Sequence, residues 1–273
     1  MRISVVITTY NRPDALSLVL RGLAAQTAAG DFEVLVADDG STPETAEMLA
    51  RLTPELNFPL RHVWQADDGF RAPMARNRAS AVATGDYIVF LDGDCLPLID
   101  FIAEHRKLAA PGWLVSGNRV LLDQRLTERA TKEQLPLWCW GAGDWLRARL
   151  SGRVNRLTPL LRLVDWSEAR DDLTGAKTCN LAVWRQDLLA VNGFDEEFIG
   201  WGYEDSDLVQ RLLNCGRRRR ASRWAIPVLH LWHGAQDRSR EKVNLARLRQ
   251  AMSSKAVQAA RGIDQYLAAS PSA

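Results

Sequence analysis

Four short apolar, β-branched runs, each followed by a stretch with helical spacing, fill the first hundred residues, and this alternation is what most restricts the fold. Arg2 to Thr8 has the character of a buried parallel strand. Asn11-Arg12-Pro13 breaks it, Pro13 suits a first helical turn, and Ala15, Leu16, Leu18, Val19, Leu20 and Leu23 follow at helical spacing. Phe32 to Ala37 predicts a second strand ending in Asp38-Asp39-Gly40-Ser41, with Ser41 or Thr42 placed to cap a helix carrying Ala46, Leu49 and Leu52. A third strand is expected at Leu60 to Trp64 and an Ala-rich helix at Pro73 to Thr84, stopped by Gly85. Tyr87 to Leu91 predicts a fourth strand that runs into Asp92-Gly93-Asp94. Repeated βα units imply an α/β fold, a doubly wound and mostly parallel sheet with helices on both faces. In such sheets ligands bind beyond the carboxyl ends of the strands. Those ends carry Thr8-Thr9-Tyr10, Asp38-Asp39 and Asp92 with Asp94.

After Asp94 the rhythm changes. Single strands are expected at Trp113 to Leu121, Ala176 to Trp184 and Ala225 to Leu231, and a helix at Asp205 to Cys215 closed by Gly216. Residues 122–173 are irregular, with Trp138, Trp140, Trp145 and Trp166; an acceptor-binding insert and aromatic packing of a small subdomain both fit them. Residues 239–268 predict a basic, Ala-rich helical tail that covers the core, lies on a membrane surface or pairs with a second subunit. The expected division is a nucleotide-binding half at 1–120, a mixed acceptor-binding and catalytic half at 121–237 with its insert at 122–173, and the tail at 238–273.

Composition excludes several classes. A net charge of +2 is too small for a typical nucleic-acid binder. The one basic cluster, Arg217-Arg218-Arg219-Arg220 with Arg223 beyond, is expected as a solvated turn after a helix, with contact to anionic lipid or a phosphorylated acceptor as the alternative. The apolar run after Arg2 is too short for a signal peptide, and no stretch reaches 18 consecutive apolar residues. Four cysteines without a CxxC pattern argue against structural zinc and for reduced thiols in a cytoplasmic protein.

Asp92 and Asp94, one residue apart at a strand end, present hard oxygens suited to Mg²⁺ or Mn²⁺ holding a diphosphate, and Gly93 between them permits a tight turn beside a bulky ligand. Asp38 and Asp39 suit either an Asx turn or bonds to a nucleobase and ribose. Arg71, Arg76 and Arg78 lie near a helix start, where one or two can face a diphosphate. Gly200-Trp201-Gly202-Tyr203-Glu204-Asp205-Ser206-Asp207 places an aromatic between glycines ahead of an acidic helix start; its carboxylates serve the helix dipole or include a general base. His230 and His233, two of only four histidines, follow a predicted strand and are either structural or metal ligands.

Together these motifs resemble the GT-A glycosyltransferases of family 2: Val5-Val6-Ile7-Thr8-Thr9-Tyr10-Asn11-Arg12, then Val36-Ala37-Asp38-Asp39-Gly40-Ser41, then Ala75-Arg76-Asn77, then Asp92-Gly93-Asp94. Asn192-Gly193-Phe194-Asp195-Glu196, Gly200-Trp201-Gly202-Tyr203-Glu204-Asp205 and His233 resemble the segment shared by the animal β-1,4-galactosyltransferases and bacterial chondroitin-polymerase-like enzymes. The resemblance spans about residues 1–120 and 175–240. It implies donor contacts from Thr8, Tyr10, Arg12, Asp38, Asp39, Arg76, Asp92 and Gly93. It implies metal ligation by Asp94 and His233, with His230 as a further candidate, acceptor contacts from Glu204 and Trp201, and Asp205 as catalytic base. The implied reaction is inverting transfer from a nucleotide-diphosphate sugar, UDP by family habit, to a glycan or lipid-linked glycan, with Mn²⁺ or Mg²⁺ as cofactor and peripheral membrane contact left open, as is the oligomeric state. Residues 122–173 match nothing in that family, and a Gln-x-x-Arg-Trp motif is missing, which disfavours a processive synthase. A sugar-nucleotide nucleotidyltransferase would carry a Gly-rich loop after the first strand, and a dehydrogenase would carry G-x-G-x-x-G there. A non-catalytic carbohydrate-binding protein would not need acidic pair, arginines and late histidine together.

Overall fold

A computed structural model describes residues 1–27, 30–160, 167–222 and 224–267. Trp166, Arg223 and the last six residues of the expected tail lie outside the described residues. The first four βα units appear where the apolar runs place them: β1 (Ile3–Thr9), α1 (Pro13–Ala24), β2 (Phe32–Asp38), α2 (Pro43–Leu52), β3 (Leu60–Trp64), α3 (Ala72–Ala81) and β4 (Tyr87–Asp92). Then come β5 (Cys95–Pro97), α4 (Phe101–Leu108), β6 (Trp113–Ser116), β7 (Asn118–Leu121), α5 (Gln124–Glu133), α6 (Ala142–Leu150), β8 (Ser167–Arg170), β9 (Asn180–Trp184), α7 (Arg185–Ala190), α8 (Glu204–Asn214), β10 (Arg218–Ser222), β11 (Pro227–His230), α9 (Glu241–Ser254) and α10 (Asp264–Leu267). Eight strands form one sheet in the order β3-β2-β1-β4-β9-β6-β10-β8, and β5-β11-β7 form a second. From β3 to β4 the strands are parallel; β9 runs antiparallel to both β4 and β6, and β8 antiparallel to β10.

The run β1 and the run β2 are fully apolar or shielded because helices cover both sheet faces. One face buries Val5, Ile7, Leu16, Leu20 and Val34, and the other buries Val6, Leu35, Ala75, Ala79 and Phe90. Ser4 and Glu33, polar residues inside this layer, satisfy each other: Ser4 Oγ donates to Glu33 Oε1 at 2.7 Å, and the same oxygen accepts from Thr84 N.

Several expectations are corrected. The strand expected at Trp113 to Leu121 is two strands in two sheets, broken at Gly117. A Cβ on Gly117 would lie 2.1 Å from Asn180 Nδ2, so the chain crosses between sheets where a side chain is sterically forbidden. Asn180 is itself fixed by its own Nδ2 donating to Ile226 O and by His105 Nε2 3.2 Å from its Oδ1. Arg217 to Arg220 is not a solvated turn. Arg219 is buried within β10 and donates to Thr174 O, Arg217 pairs with Asp187 at 2.7 Å, and Arg218 and Arg220 lie over the Trp113 ring. Among its described residues the irregular 122–173 stretch holds two α-helices; Asp123 caps α5 by accepting from Leu126 N. Trp145 is buried 4.9 Å from the Trp140 ring in a third apolar cluster with Leu96, Leu229 and Leu231, so these indoles pack the second sheet. The tail breaks at Lys255, which adopts φ +52°, and it folds back through buried Asn244, Leu248, Ala259 and Ile263 over the 192–201 loop. Neither hydroxyl of Ser41 or Thr42 caps α2. Ser41 Oγ accepts from Asn11 N instead, and Thr42 Oγ1 donates to Asn11 Oδ1.

Candidate active site

The carboxyl ends of β1, β2 and β4 open onto a cleft of about 840 Å³, roofed by the 200–206 loop and the 230–236 segment. Strand register builds its centre. β5 leaves the Asp92-Gly93-Asp94 turn and pairs antiparallel with β11, so Cys95 lies opposite His230, and Leu231 N donates to Asp94 O at 2.9 Å. The chain therefore has no choice but to deliver its late histidines to the acidic turn. His233 Nε2 lies 3.6 Å from Asp94 Oδ2, and His230 Nε2 lies 3.8 Å from Asp94 Oδ1. Gly93 N donates to Thr8 O at 2.8 Å, which binds the turn to β1.

These atoms fit a divalent cation. The contact of His233 Nδ1 with Gly234 O, 2.7 Å, requires a proton on Nδ1 and leaves the Nε2 lone pair facing Asp94. Burial pushes His230 down to about 4, so its ring is neutral at pH 7. Bond lengths of ~2.1 Å put neighbouring donor atoms roughly 3–4 Å apart around one ion, and each histidine Nε2 lies within that range of an Asp94 oxygen.

Arg76 organises the opposite wall. Its guanidinium is buried on α3, with Nε donating to Thr8 Oγ1 at 2.9 Å, Nη1 to Glu204 Oε1 at 3.3 Å and Nη2 to Asp92 Oδ1 at 3.2 Å. One planar fork thus joins β1, β4 and the start of α8. Burial opposes its charge, but Asp92, Glu204 and Asp205 outweigh that and hold the proton more firmly than usual. Asn77, the next residue, donates to Phe194 O and Glu196 Oε1 and accepts from Phe194 N, which locks the 192–201 loop against α3. The loop turns through Gly200 at φ +78°, where a Cβ would meet Arg240 at 2.7 Å, and delivers Tyr203 at φ +73° as the residue before α8.

The acidic groups have raised proton affinities. Burial lifts Asp205 to about 7, reinforced by Glu204 and opposed by Ser206 N, Arg76 and Lys177. Burial lifts Asp92 to about 6 against the pull of Arg76. Asp39 is likewise raised to about 6 by burial, although Arg71 N and Gln65 Nε2 donate to its two oxygens. Clustered, perturbed carboxylates in one cleft mark a functional site more often than a structural one.

Of the residues singled out from the sequence, Thr8, Tyr10, Arg12, Asp39, Arg76, Asp92, Gly93, Asp94, Trp201, Glu204, Asp205, His230 and His233 all line this cleft. Asp38 does not. Its carboxylate is fully buried, held by His62 Nε2 at 2.8 Å and by Ser41 N at 2.8 Å, which together keep its proton affinity low despite burial. Asp38 braces the β2–α2 turn and leaves the cleft to Asp39. Asp207, from the acidic run, pairs with the buried Arg211 at 2.8 Å and does not reach the cleft. Trp201 carries Arg238 over its ring at 4.6 Å. Lys177, Arg119 and the exposed Trp232 also line the cleft, and no spacing in the sequence singles them out. The signal available for Lys177 was its place just before a buried strand on the cleft side; for Arg119 it was the parallel neighbour of that histidine-bearing strand.

The profile of glycosyl transferase family 2 matches residues 4–158, more than half the chain, and that described as the N-terminal domain of galactosyltransferase matches 159–228, so the two together run through 122–173, where no match to the family was expected. The chain is 33% identical over 245 residues to validoxylamine A glucosyltransferase of Streptomyces hygroscopicus subsp. jinggangensis, covering 84% of this chain and 56% of that protein. It is 31% identical over 236 residues to hyaluronan synthase of Pasteurella multocida, covering 78% of this chain and 23% of that one. It therefore spans about half, or less, of the length of these curated relatives. Among solved structures, S. aureus TarS residues 1–349 superposes with a TM-score of 0.59 at 17% identity, covering 98% of this chain and 70% of that one, and the same protein in complex with UDP superposes equally well. A sheet that delivers Asp94 to two histidines, and two family profiles that together run from residue 4 to residue 228, lead to one conclusion: this chain belongs to family 2 of the glycosyltransferases.

Proposed function

We propose that this chain transfers a sugar from a nucleotide-diphosphate donor to a hydroxyl of a glycan or lipid-linked glycan, with inversion at the anomeric carbon. The observation that carries the reading is the approach of His230 and His233 to the two oxygens of Asp94, in a cleft that Asp205 also lines. Mixed carboxylate and imidazole donors favour Mn²⁺ over Mg²⁺. A divalent cation there would supply positive charge to a departing diphosphate. UDP is the nucleotide we expect, since the structural neighbour TarS is seen in complex with UDP, and Asp39 with the Thr8–Arg12 loop would receive the nucleoside. Residues 1–120 would then hold the donor and residues 121–237 the acceptor and the base.

The protein's own groups do the rest. Arg76 fixes Asp92 and Glu204, so the floor of the cleft does not reorganise as charge develops. Asp205, with an affinity near neutrality, accepts the proton of the attacking hydroxyl as that oxygen forms its bond to the anomeric carbon. Glu204 and Trp201 stand beside it to orient the acceptor. The test is slow donor hydrolysis, which needs no acceptor: a panel of nucleotide sugars incubated with Mn²⁺ should show release of one nucleotide diphosphate, lost on chelation and in Asp94→Ala. Hydrolysis of none of the panel, or hydrolysis indifferent to chelator, contradicts the reading.

A further inference from the structure

Two of the four cysteines meet where β4 ends in the cleft. Cys95 opens β5 directly after the Asp92-Gly93-Asp94 turn and is fully buried. Cys179 sits in the turn before β9, is 6% exposed and lines the cleft. Strand pairing brings them together: Leu91 lies opposite Asn180 in the β4–β9 register, so the turn that holds Cys179 falls beside the end of β4. Both thiols are free, and they are hydrogen-bonded to each other. Asp92 completes the group. One of its oxygens and the two sulfurs all lie within 4.8 Å of one another. Arg76 holds Oδ1 of Asp92, whereas Oδ2 accepts no hydrogen bond among the described residues.

This donor set differs in kind from Asp94 with His230 and His233. Carboxylate and imidazole suit Mn²⁺, whereas paired thiolates select softer ions. Zinc bonds of ~2.3 Å to sulfur and ~2.1 Å to oxygen at tetrahedral angles set donor atoms roughly 3.5–3.8 Å apart. The three side chains reach that spacing with shifts of about 1 Å or less, and cleft water beside Cys179 would fill the fourth position. Binding would release both thiol protons to solvent. Two thiolates, one carboxylate and a divalent cation leave one negative charge, which the Arg76 guanidinium, 3.2 Å from Asp92, offsets. We propose that Cys95, Cys179 and Asp92 form a second cation site, selective for a thiophilic divalent ion of the zinc class. Cys95 also lies within 4.8 Å of ligand atoms of Asp94 and His230, so the two sites adjoin. An ion among the thiolates therefore opposes, by charge, an ion at Asp94 and acts as an inhibitor.

The test is titration of metal-free protein with Cd²⁺, a stand-in for Zn²⁺ whose bonds to thiolate give an ultraviolet charge-transfer band. Wild type should show a band that saturates at one equivalent and is removed by competing Zn²⁺. Cys179→Ser, at the cleft surface, should lower Cd²⁺ affinity at least about tenfold, the scale of losing even an outer partner of a bound metal. Cys95→Ala with Cys179→Ser should remove the band, and Cys139→Ser and His230→Ala should each keep it. No band in wild type overturns the proposal, as does a band that survives the double replacement. A band lost in His230→Ala would put the ion at Asp94, with Cys95 a chance ligand, and the proposal fails. Zn²⁺ added to donor hydrolysis at saturating Mn²⁺ should slow wild type and spare the double variant; equal slowing of both overturns the inhibitory role. Only this last arm rests on the glycosyltransferase reading: hydrolysis absent before Zn²⁺ is added contradicts that reading, while the Cd²⁺ titration still decides the site.

Discussion

Replacing Arg76 by Met removes the one group that joins three elements of the cleft. Arg76 is 4% exposed, its partner Glu204 10% and its partner Asp92 32%. The Glu204 arm therefore counts as a buried pair, while the Asp92 arm is partly wet and contributes less. Breaking a buried pair by deleting one partner costs about 3–5 kcal/mol, and the wet arm places the expected loss at the lower end, about 3 kcal/mol. For a chain of this size that is a fall of about 6–12 °C in Tm. The loss should depend on pH with a definite sign. Asp92 and Asp205 already bind protons more tightly folded than unfolded, with affinities raised to about 6 and about 7. Without Arg76 both rise further. Between the unfolded value near 4 and these raised values the folded protein holds more protons than the unfolded one, so stability falls as pH rises through that window. The variant's deficit, measured by thermal and urea unfolding of metal-free protein, should be largest at pH 8 and shrink toward pH 5. A deficit under about 1 kcal/mol at pH 8, or one that grows on acidification, would refute the reasoning. Arg76→Lys should recover only part of the loss, because an ammonium cannot bridge Thr8, Asp92 and Glu204 at once.

Asp205→Asn should lower transfer by roughly 10²–10⁴-fold while leaving nucleotide affinity within a few-fold, read from steady-state kinetics beside a UDP titration; wild-type turnover would remove Asp205 from the base role. Asp38→Ala should cost about 2–4 kcal/mol, since it strands His62 and Ser41 N, with donor affinity affected only through that loss of order; an unfolding midpoint equal to wild type would contradict the bracing role. Gly117→Ala should cost about 1–3 kcal/mol, because its Cβ meets a fixed Asn180 amide, and the paired Asn180→Ala change should not rescue it fully since Ile226 O then loses its donor; a neutral Gly117→Ala in urea unfolding would disprove the steric account.

The first hundred residues were legible because buried parallel strands read as apolar runs and their ends as polar clusters; β3 falls at the predicted Leu60 to Trp64. What the periodicity could not carry was any feature decided by a distant residue. The division of 113–121 between two sheets depends on Asn180 lying against Gly117. The burial of Arg219 depends on a carbonyl at Thr174 and a strand at 167–170. Asp38 and Asp39 are adjacent in an extended strand end, so they point to opposite sides, and only one can face the cleft; which one follows from His62 on β3. The helices α5 and α6 bury only Leu126, Thr127 and Ala130 in one case and Trp145 and Ala148 in the other, too few apolar residues to read as a helical stripe. Lys177 and Arg119 escaped for a different reason: single cations carry no spacing.

A cation held by Asp94 with imidazole nitrogen is the physical centre of the proposed site. Pulsed electron paramagnetic resonance of Mn²⁺ with UDP bound to the protein measures this without turnover. The wild-type complex should show nitrogen coupling from directly bound imidazole, reduced in His233→Ala and reduced again when His230 is also replaced, with Mn²⁺ lost from Asp94→Ala. A spectrum without nitrogen coupling, or one unchanged by both histidine replacements, would contradict the site as described.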